Sequence, residues 1–282
     1  MSNTSTDRIA DRVIMLTGAA NGFGKLVAEQ AAARGACVVG LDINEEALEA
    51  AFAPLLEKGY KVAWRKADVS NLEDMQAGAA LAVEKFGRID VMVNNAGIMP
   101  LAFFSDHEKA ANAWDRAIDI NIKGVVHGIS AVYDQMMKQG QGHVINVSST
   151  YGNAPTEGSA VYGATKSAVN MISDSLRMET QGKIKVSVVR PTGVAATGLA
   201  QSIVNFKAVI GMLGHHNDAS LEKMKMMMSG TLPEELASPE SVGYFSLAPE
   251  YISDAILYVI DQPWGVLISD ITVRASGEAT LF

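Results

Sequence analysis

Tyr162 and Lys166 stand four residues apart in Tyr162-Gly163-Ala164-Thr165-Lys166, and on a helix that spacing sets both side chains on one face. A free tyrosine titrates near ~10, too high for a base at neutral pH, and a cationic neighbour favours its phenolate. A phenol beside an ammonium is therefore a proton-transfer group. Ser149 lies thirteen residues earlier, after an apolar run that reads as a strand, so its hydroxyl is expected at a strand end. Helix surfaces also produce Tyr-x-x-x-Lys by chance, and the pair gains weight only from its company.

That company begins near the amino terminus. Val13–Thr17 reads as a strand and runs through Thr17-Gly18-Ala19-Ala20-Asn21-Gly22-Phe23-Gly24 into a helical pattern. Gly18, Gly22 and Gly24 let the backbone turn tightly and approach a pyrophosphate, which then meets the free N–H groups of a helix start at Asn21, Gly22 and Phe23. The same glycines would serve a plain tight connection. Asp42 closes the next apolar run eighteen positions after Gly24, where a carboxylate can accept from ribose hydroxyls and repel a 2′-phosphate. Ile43 and Asn44 bring no positive charge, and the glycine turn holds no Lys or Arg, so these residues point to NAD rather than NADP. Capping a helix that starts near Asn44 is the other use for Asp42. Asp68-Val69 and Asn94-Asn95-Ala96-Gly97 follow the third and fourth runs, where Asp68 could hold the adenine amino group and Asn95, Ala96 and Gly97 allow close approach. Turn chemistry alone would also explain the second of these motifs.

These residues need a scaffold, and the chain can build one. At 282 residues with 48% hydrophobic side chains it can bury a large core, which excludes disorder. Short β-branched runs at Val13–Thr17, Ala36–Asp42, Val62–Asp68, Val91–Asn94, His143–Ser148 and Ile184–Arg190 alternate with helical patterns such as Lys25–Arg34, Glu45–Lys58 and Leu72–Phe86. That alternation predicts an α/β fold: a single Rossmann-type doubly wound parallel sheet, with ligands at the carboxyl ends of its strands. A last helix is expected near Ser246–Ile260 and a last strand near Leu267–Arg274. No linker, repeat or charge block divides the chain, so residues 1–282 read as one domain, with residues 1–10 a flexible polar leader.

The net charge of −8 disfavours nucleic acid and anionic membranes as partners. Cys37, the single cysteine, sits in the apolar run Ala36–Val39 and reads as core, in keeping with a reducing cytosol. The first residues lack a signal peptide's apolar centre, and no run reaches the ~18 apolar residues of a membrane helix. A cytoplasmic protein with a small-molecule substrate is expected.

From about Asp11 to Gly277 the chain resembles the short-chain dehydrogenase/reductase family. The resemblance rests on Thr17-Gly18 through Gly24, Asp68, Asn94 to Gly97, Asn121-Ile122-Lys123-Gly124, Ser149, Tyr162 with Lys166, and Pro191-Thr192-Gly193-Val194. It implies a tetrad: Asn121 orders a water in a proton relay, Ser149 positions the substrate oxygen, Tyr162 exchanges the proton, and Lys166 binds the nicotinamide ribose and tunes Tyr162. Without the resemblance Asn121 is only a polar interruption in a helix. The cofactor's nicotinamide end is then expected at Pro191, Gly193, Val194 and Thr197. This stretch departs from the family pattern, since Thr192 stands where a glycine is usual and Thr197 lies six positions after Pro191 instead of five. Family members commonly form dimers or tetramers.

Gly198–Pro239 reads as an insertion before the last helix and strand, either a substrate lid or an interface. Ile203, Val204, Phe206, Val209, Ile210, Met212 and Leu213 make it apolar, and Lys207 is its only cation before His215-His216. A bulky apolar secondary alcohol or ketone suits such a cover better than a charged substrate. The methionines at 212, 224, 226, 227 and 228 fit either a pliable substrate surface or ordinary packing. Adjacent histidines without a Cys or Glu cluster do not make a metal site. Three other functions share many of these features: a non-catalytic NAD-binding regulator, a nucleotide-sugar epimerase or dehydratase, and a dehydrogenase of small polar hydroxy compounds. The first tends to lose the Tyr or Lys, and the second normally needs a larger C-terminal domain.

Overall fold

The computed structural model describes residues 7–194, 198–212 and 217–278. Seven strands form one parallel sheet: β1 (Val13–Thr17), β2 (Cys37–Asp42), β3 (Val62–Lys66), β4 (Val91–Asn94), β5 (Gly142–Val147), β6 (Ile184–Pro191) and β7 (Asp270–Val273). Their order is β3-β2-β1-β4-β5-β6-β7, so the winding direction reverses between β1 and β4. A crevice opens at such a reversal, beyond the carboxyl ends of the strands.

Both faces of the sheet are covered, which explains why its strands are apolar almost throughout. Ile14 and Leu16 of β1 point to one face, where they meet Val27 and Ala31 of α1 (Gly22–Ala33), Phe52 of α2 (Glu45–Glu57) and Ile256 of α10 (Glu250–Ile260). Val13 and Met15 point to the other. There they meet Met75 of α3 (Leu72–Phe86), Met136 of α5 (Gly124–Gln139) and Leu176 of α6 (Ala160–Glu179). Between α3 and α5 lies α4 (His107–Ile118), joined to α5 by a single π turn, Asp119–Lys123. The insertion folds as a short 3₁₀ turn (Gly198–Ser202), then α7 (Lys207–Gly211), α8 (Asn217–Met228) and α9 (Glu234–Ala237).

The expected doubly wound parallel sheet is the fold that forms, with differences at its ends. The last helix starts at Glu250 rather than near Ser246, because Pro249 disfavours helical geometry at the residue before it. Leu247 instead bridges to Val194. The last strand is shorter than Leu267–Arg274, since β7 is an edge strand and pairs only where β6 offers partners, Val188 to Pro191. No helix among the described residues is long and apolar enough to cross a membrane.

Candidate active site

The glycine turn leaves the carboxyl end of β1 and enters α1 directly. Gly18 and Gly22 both have positive φ, 65° and 53°, where a side chain would be strained. A Cβ on Gly24 would stand 2.1 Å from the Gly18 carbonyl oxygen, so the turn closes only around glycine. Asn21 caps α1 without any side-chain hydrogen bond, and no acidic residue occupies the first turn. The dipole and N–H groups of that turn, at Gly22, Phe23 and Gly24, thus face outward in the form that suits a phosphate.

Asn95 does not point into the crevice. Its Nδ2 donates to the carbonyls of Thr17 (2.9 Å) and Gly18 (3.2 Å), while the backbone N–H groups of Asn95 and Ala96 donate to Thr17 Oγ1 at 3.1 Å. These bonds lock the glycine turn to the end of β4. Asp42 is 9% exposed, and its two oxygens accept from the backbone N–H groups of Ala20 and Asn44, each at 3.0 Å. The cap of α2 is Asn44, whose side chain accepts from Ala47 N–H at 3.1 Å, so capping does not explain Asp42. Ile43 beside it is exposed. Asp68 uses Oδ1 to accept from both the N–H (2.9 Å) and the hydroxyl (2.7 Å) of Ser70. Val69 is buried, packed where a Cβ on Gly124 would collide with it. Lys66, in register with Asp42 on β3, is a cation near this end of the crevice, and its ammonium lies 3.8 Å from Glu45.

The second group converges on the ends of β4 and β5. Ser149 follows β5 and accepts from Tyr151 N–H at 3.2 Å, and its hydroxyl is placed to favour the charged form of the Tyr162 phenol. Tyr162 and Lys166 lie one turn apart on α6, the ammonium 5.9 Å from the centre of the phenol ring. Lys166 Nζ donates to the Val147 carbonyl at 2.9 Å. A Cβ on Gly97 would stand 3.2 Å from Asn121 Oδ1 and 3.6 Å from Lys166 Nζ, so the chain after β4 passes close to both.

Asn121 occupies the π turn and is 1% exposed. Its Oδ1 accepts from Ile98 N–H and its Nδ2 donates to the Ile98 carbonyl, both at 2.9 Å, with a further bond from Nδ2 to Thr165 Oγ1 at 3.0 Å. The side-chain amide therefore joins α6 to the loop after β4, with both Nδ2 hydrogens used and one acceptor site of Oδ1 left.

Burial sets the electrostatics here. It pushes the Tyr162 phenol up to about 12, against a smaller lowering by the Ser149 hydroxyl, and brings the Lys166 ammonium down to about 8. The pairing of Tyr162 with Lys166 was expected to lower the phenol. Within the protein's own groups desolvation wins, with the ammonium donating to the Val147 carbonyl and standing 5.9 Å from the centre of the ring.

Beyond Tyr162 the wall is apolar. Leu101, Ala208 and Met212 pack on it, with Met99, Phe103, Tyr151, Ile203 and Val209 around them. The first half of the insertion is tied down over this wall: Ser202 Oγ accepts from Met99 N–H at 2.8 Å, the N–H groups of Val204 and Asn205 donate to the Leu101 carbonyl at 3.2 and 3.0 Å, and Asn205 Nδ2 donates to Asp106 at 2.8 Å. Not all of its apolar residues face inward. Phe206 is 70% exposed and Met228 84% exposed. Thr197, Leu213 and His215-His216 lie outside the described residues, and among the described ones no His, Cys, Asp and Glu cluster could hold a metal. Pro191 ends β6, and Gly193 and Val194 follow it at the rim of the crevice. One residue that sequence reasoning missed is Glu278, whose carboxylate bonds Thr192 and Gly193 from the far end of the chain.

The family profile for short chain dehydrogenase matches residues 12–208, and the chain belongs to that family of oxidoreductases. An uncharacterized oxidoreductase of Listeria monocytogenes is 33% identical over 273 residues, covering 96% of this chain and 98% of that protein. Among solved structures, the closed form of a serine dehydrogenase complexed with NADP+ is 27% identical with a TM-score of 0.74, covering 93% of this chain and 94% of that one. Levodione reductase is 25% identical with a TM-score of 0.76, covering 97% and 99%.

Proposed function

We propose that this protein is an NAD-dependent oxidoreductase that interconverts a bulky, mainly apolar secondary alcohol and its ketone. The observation that carries the reading is the junction of Ser149, Tyr162 and Lys166 with an apolar wall, at the same sheet edge as a glycine turn that admits no side chain. Bound NAD supplies the hydride acceptor for oxidation and, once reduced, the hydride donor for the reverse reaction. The outward-facing first turn of α1 holds its pyrophosphate, Asp42 its adenosine ribose, Asp68 and Val69 its adenine, and Gly193 and Val194 its carboxamide.

During oxidation the carbinol C–H bond breaks as hydride leaves, and the hydroxyl proton passes to the Tyr162 oxygen, leaving a C=O. Ser149 orients the substrate oxygen by donating to it. Lys166 draws the proton equilibrium of Tyr162 toward phenolate and binds the nicotinamide ribose, and Asn121 orders a water that carries the proton onward. Residues 198–212 close the apolar side and keep water from the reacting carbon. We extend the reading to a cytoplasmic, self-associating dimer or tetramer.

Steady-state kinetics test the substrate class. Efficiency with NAD should climb from propan-2-ol to 1-phenylethanol by about 10–10²-fold, as burial of a ring contributes about 1.5–3 kcal/mol. Proteolysis within residues 198–239 should slow when NAD and the alcohol are both bound. A preference for a small or acidic alcohol with unchanged proteolysis would exclude this substrate class.

A further inference from the structure

Glu278 lies past β7, where the chain turns back on itself: its N–H donates to the Ala275 carbonyl at 3.1 Å, and Gly277 N–H donates to the Tyr244 carbonyl at 2.8 Å. A Cβ on Gly277 would stand 2.2 Å from the Gly243 carbonyl oxygen, so the tail is pressed onto that loop and its next side chain is aimed inward. Glu278 Oε1 accepts from Gly193 N–H at 3.0 Å, and Oε2 accepts from the Thr192 hydroxyl. Across the same turn, Leu247 N–H donates to the Gly193 carbonyl at 3.4 Å and Leu247 bridges to Val194. The turn after β6 is thus held from two sides, and one holder is a partly buried carboxylate whose burial raises its titration while its bonds to Thr192 and Gly193 oppose the rise.

We propose that Glu278 is a positioning residue that, through Thr192 and Gly193, sets the Val194 backbone at the height where it binds the nicotinamide carboxamide. A threonine at position 192 offers a hydroxyl that glycine would not, and Glu278 is the nearer of its two partners, the Val273 carbonyl being 3.4 Å away. Without the carboxylate, the Gly193 N–H is left without its acceptor, and the turn keeps only the Thr192 N–H bond to the Val273 carbonyl (3.2 Å) before it and the Leu247 contacts after it. The turn then samples positions in which Val194 misses the carboxamide, so the effect falls on the nicotinamide end of the cofactor alone.

The inference rests on the NAD reading, and two probes separate them: NAD, and ADP-ribose, which lacks the nicotinamide. In calorimetric titrations, Glu278→Ala should weaken NAD about tenfold while leaving ADP-ribose within about twofold, the loss expected for one charge-assisted hydrogen bond. Glu278→Gln should restore most of the NAD affinity, because its amide can accept from Gly193 N–H and donate to Thr192. Thr192→Val should give a smaller loss of the same kind. Equal losses for NAD and ADP-ribose in both the Gln and Ala variants, or no loss in either, would overturn the positioning role. A wild-type protein that binds ADP-ribose and NAD no better than unrelated nucleotides would overturn it together with the NAD reading.

Discussion

Replacing Tyr162 with Phe lowers kcat for alcohol oxidation by about 10²–10⁴-fold, the range that general acid–base groups contribute, and leaves NAD affinity within about twofold. The deleted atom is the one that exchanges the proton, and the ring that packs against Leu101 and Met212 remains. Lys166→Ala should damage both turnover and NAD binding. Oxidation needs the phenolate, so its rate rises with pH. The rise should be centred well below the value of about 12 that burial imposes on the phenol, since the positive nicotinamide ring and the Lys166 ammonium both favour the charged form when they flank it. A Tyr162→Phe protein that retains most of its activity would show that the proton leaves by another route.

Asp42 should make kcat/KM with NAD on the order of 10² times that with NADP. A carboxylate about 4 Å from a 2′-phosphate repels it by about 2–4 kcal/mol at the effective dielectric of a protein rim. Asp42→Asn should bring the ratio to within about tenfold, helped by Lys66, which stands in register on the neighbouring strand. Asn is the better probe than Ala. Asp42 accepts from the N–H groups of Ala20 and Asn44 through separate oxygens; Asn keeps an acceptor for one of them, whereas Ala leaves both without one, at about 1–3 kcal/mol of stability each. Comparable efficiency of the unmodified protein with both cofactors would refute the role of Asp42.

Much of this arrangement was legible beforehand because it is local. The strands announced themselves as apolar runs, and the glycine turn and Tyr162–Lys166 each fall within a few residues. α10 starts four positions later than the sequence pattern suggests, since that pattern continues upstream of Pro249 and only the proline interrupts it. The π turn at Asn121 leaves no mark in helical periodicity, so the residue was singled out by resemblance while its bonds to Ile98 and Thr165 were not foreseeable. Asn95 reads like a ligand contact and instead fastens β4 to the glycine turn. Glu278 is separated from Gly193 by 85 residues, and nothing in the composition of the tail relates the two. Sequence spacing gives Tyr162 only one electrostatic neighbour, Lys166, whereas burial is a sum over everything packed around it.

The central claim is that hydride leaves the carbinol carbon while Tyr162 takes the hydroxyl proton. The most direct measurement is a single-turnover reaction of the NAD-saturated protein with 1-phenylethanol, unlabelled and deuterated at the carbinol carbon, following the absorbance of reduced nicotinamide. The account predicts that reduced nicotinamide forms in step with the ketone, more slowly with the deuterated alcohol, and that Tyr162→Phe binds NAD but forms it at least about 10²-fold more slowly. Formation at the same rate in the Tyr162→Phe protein, or none in the wild type with any secondary alcohol, would contradict it.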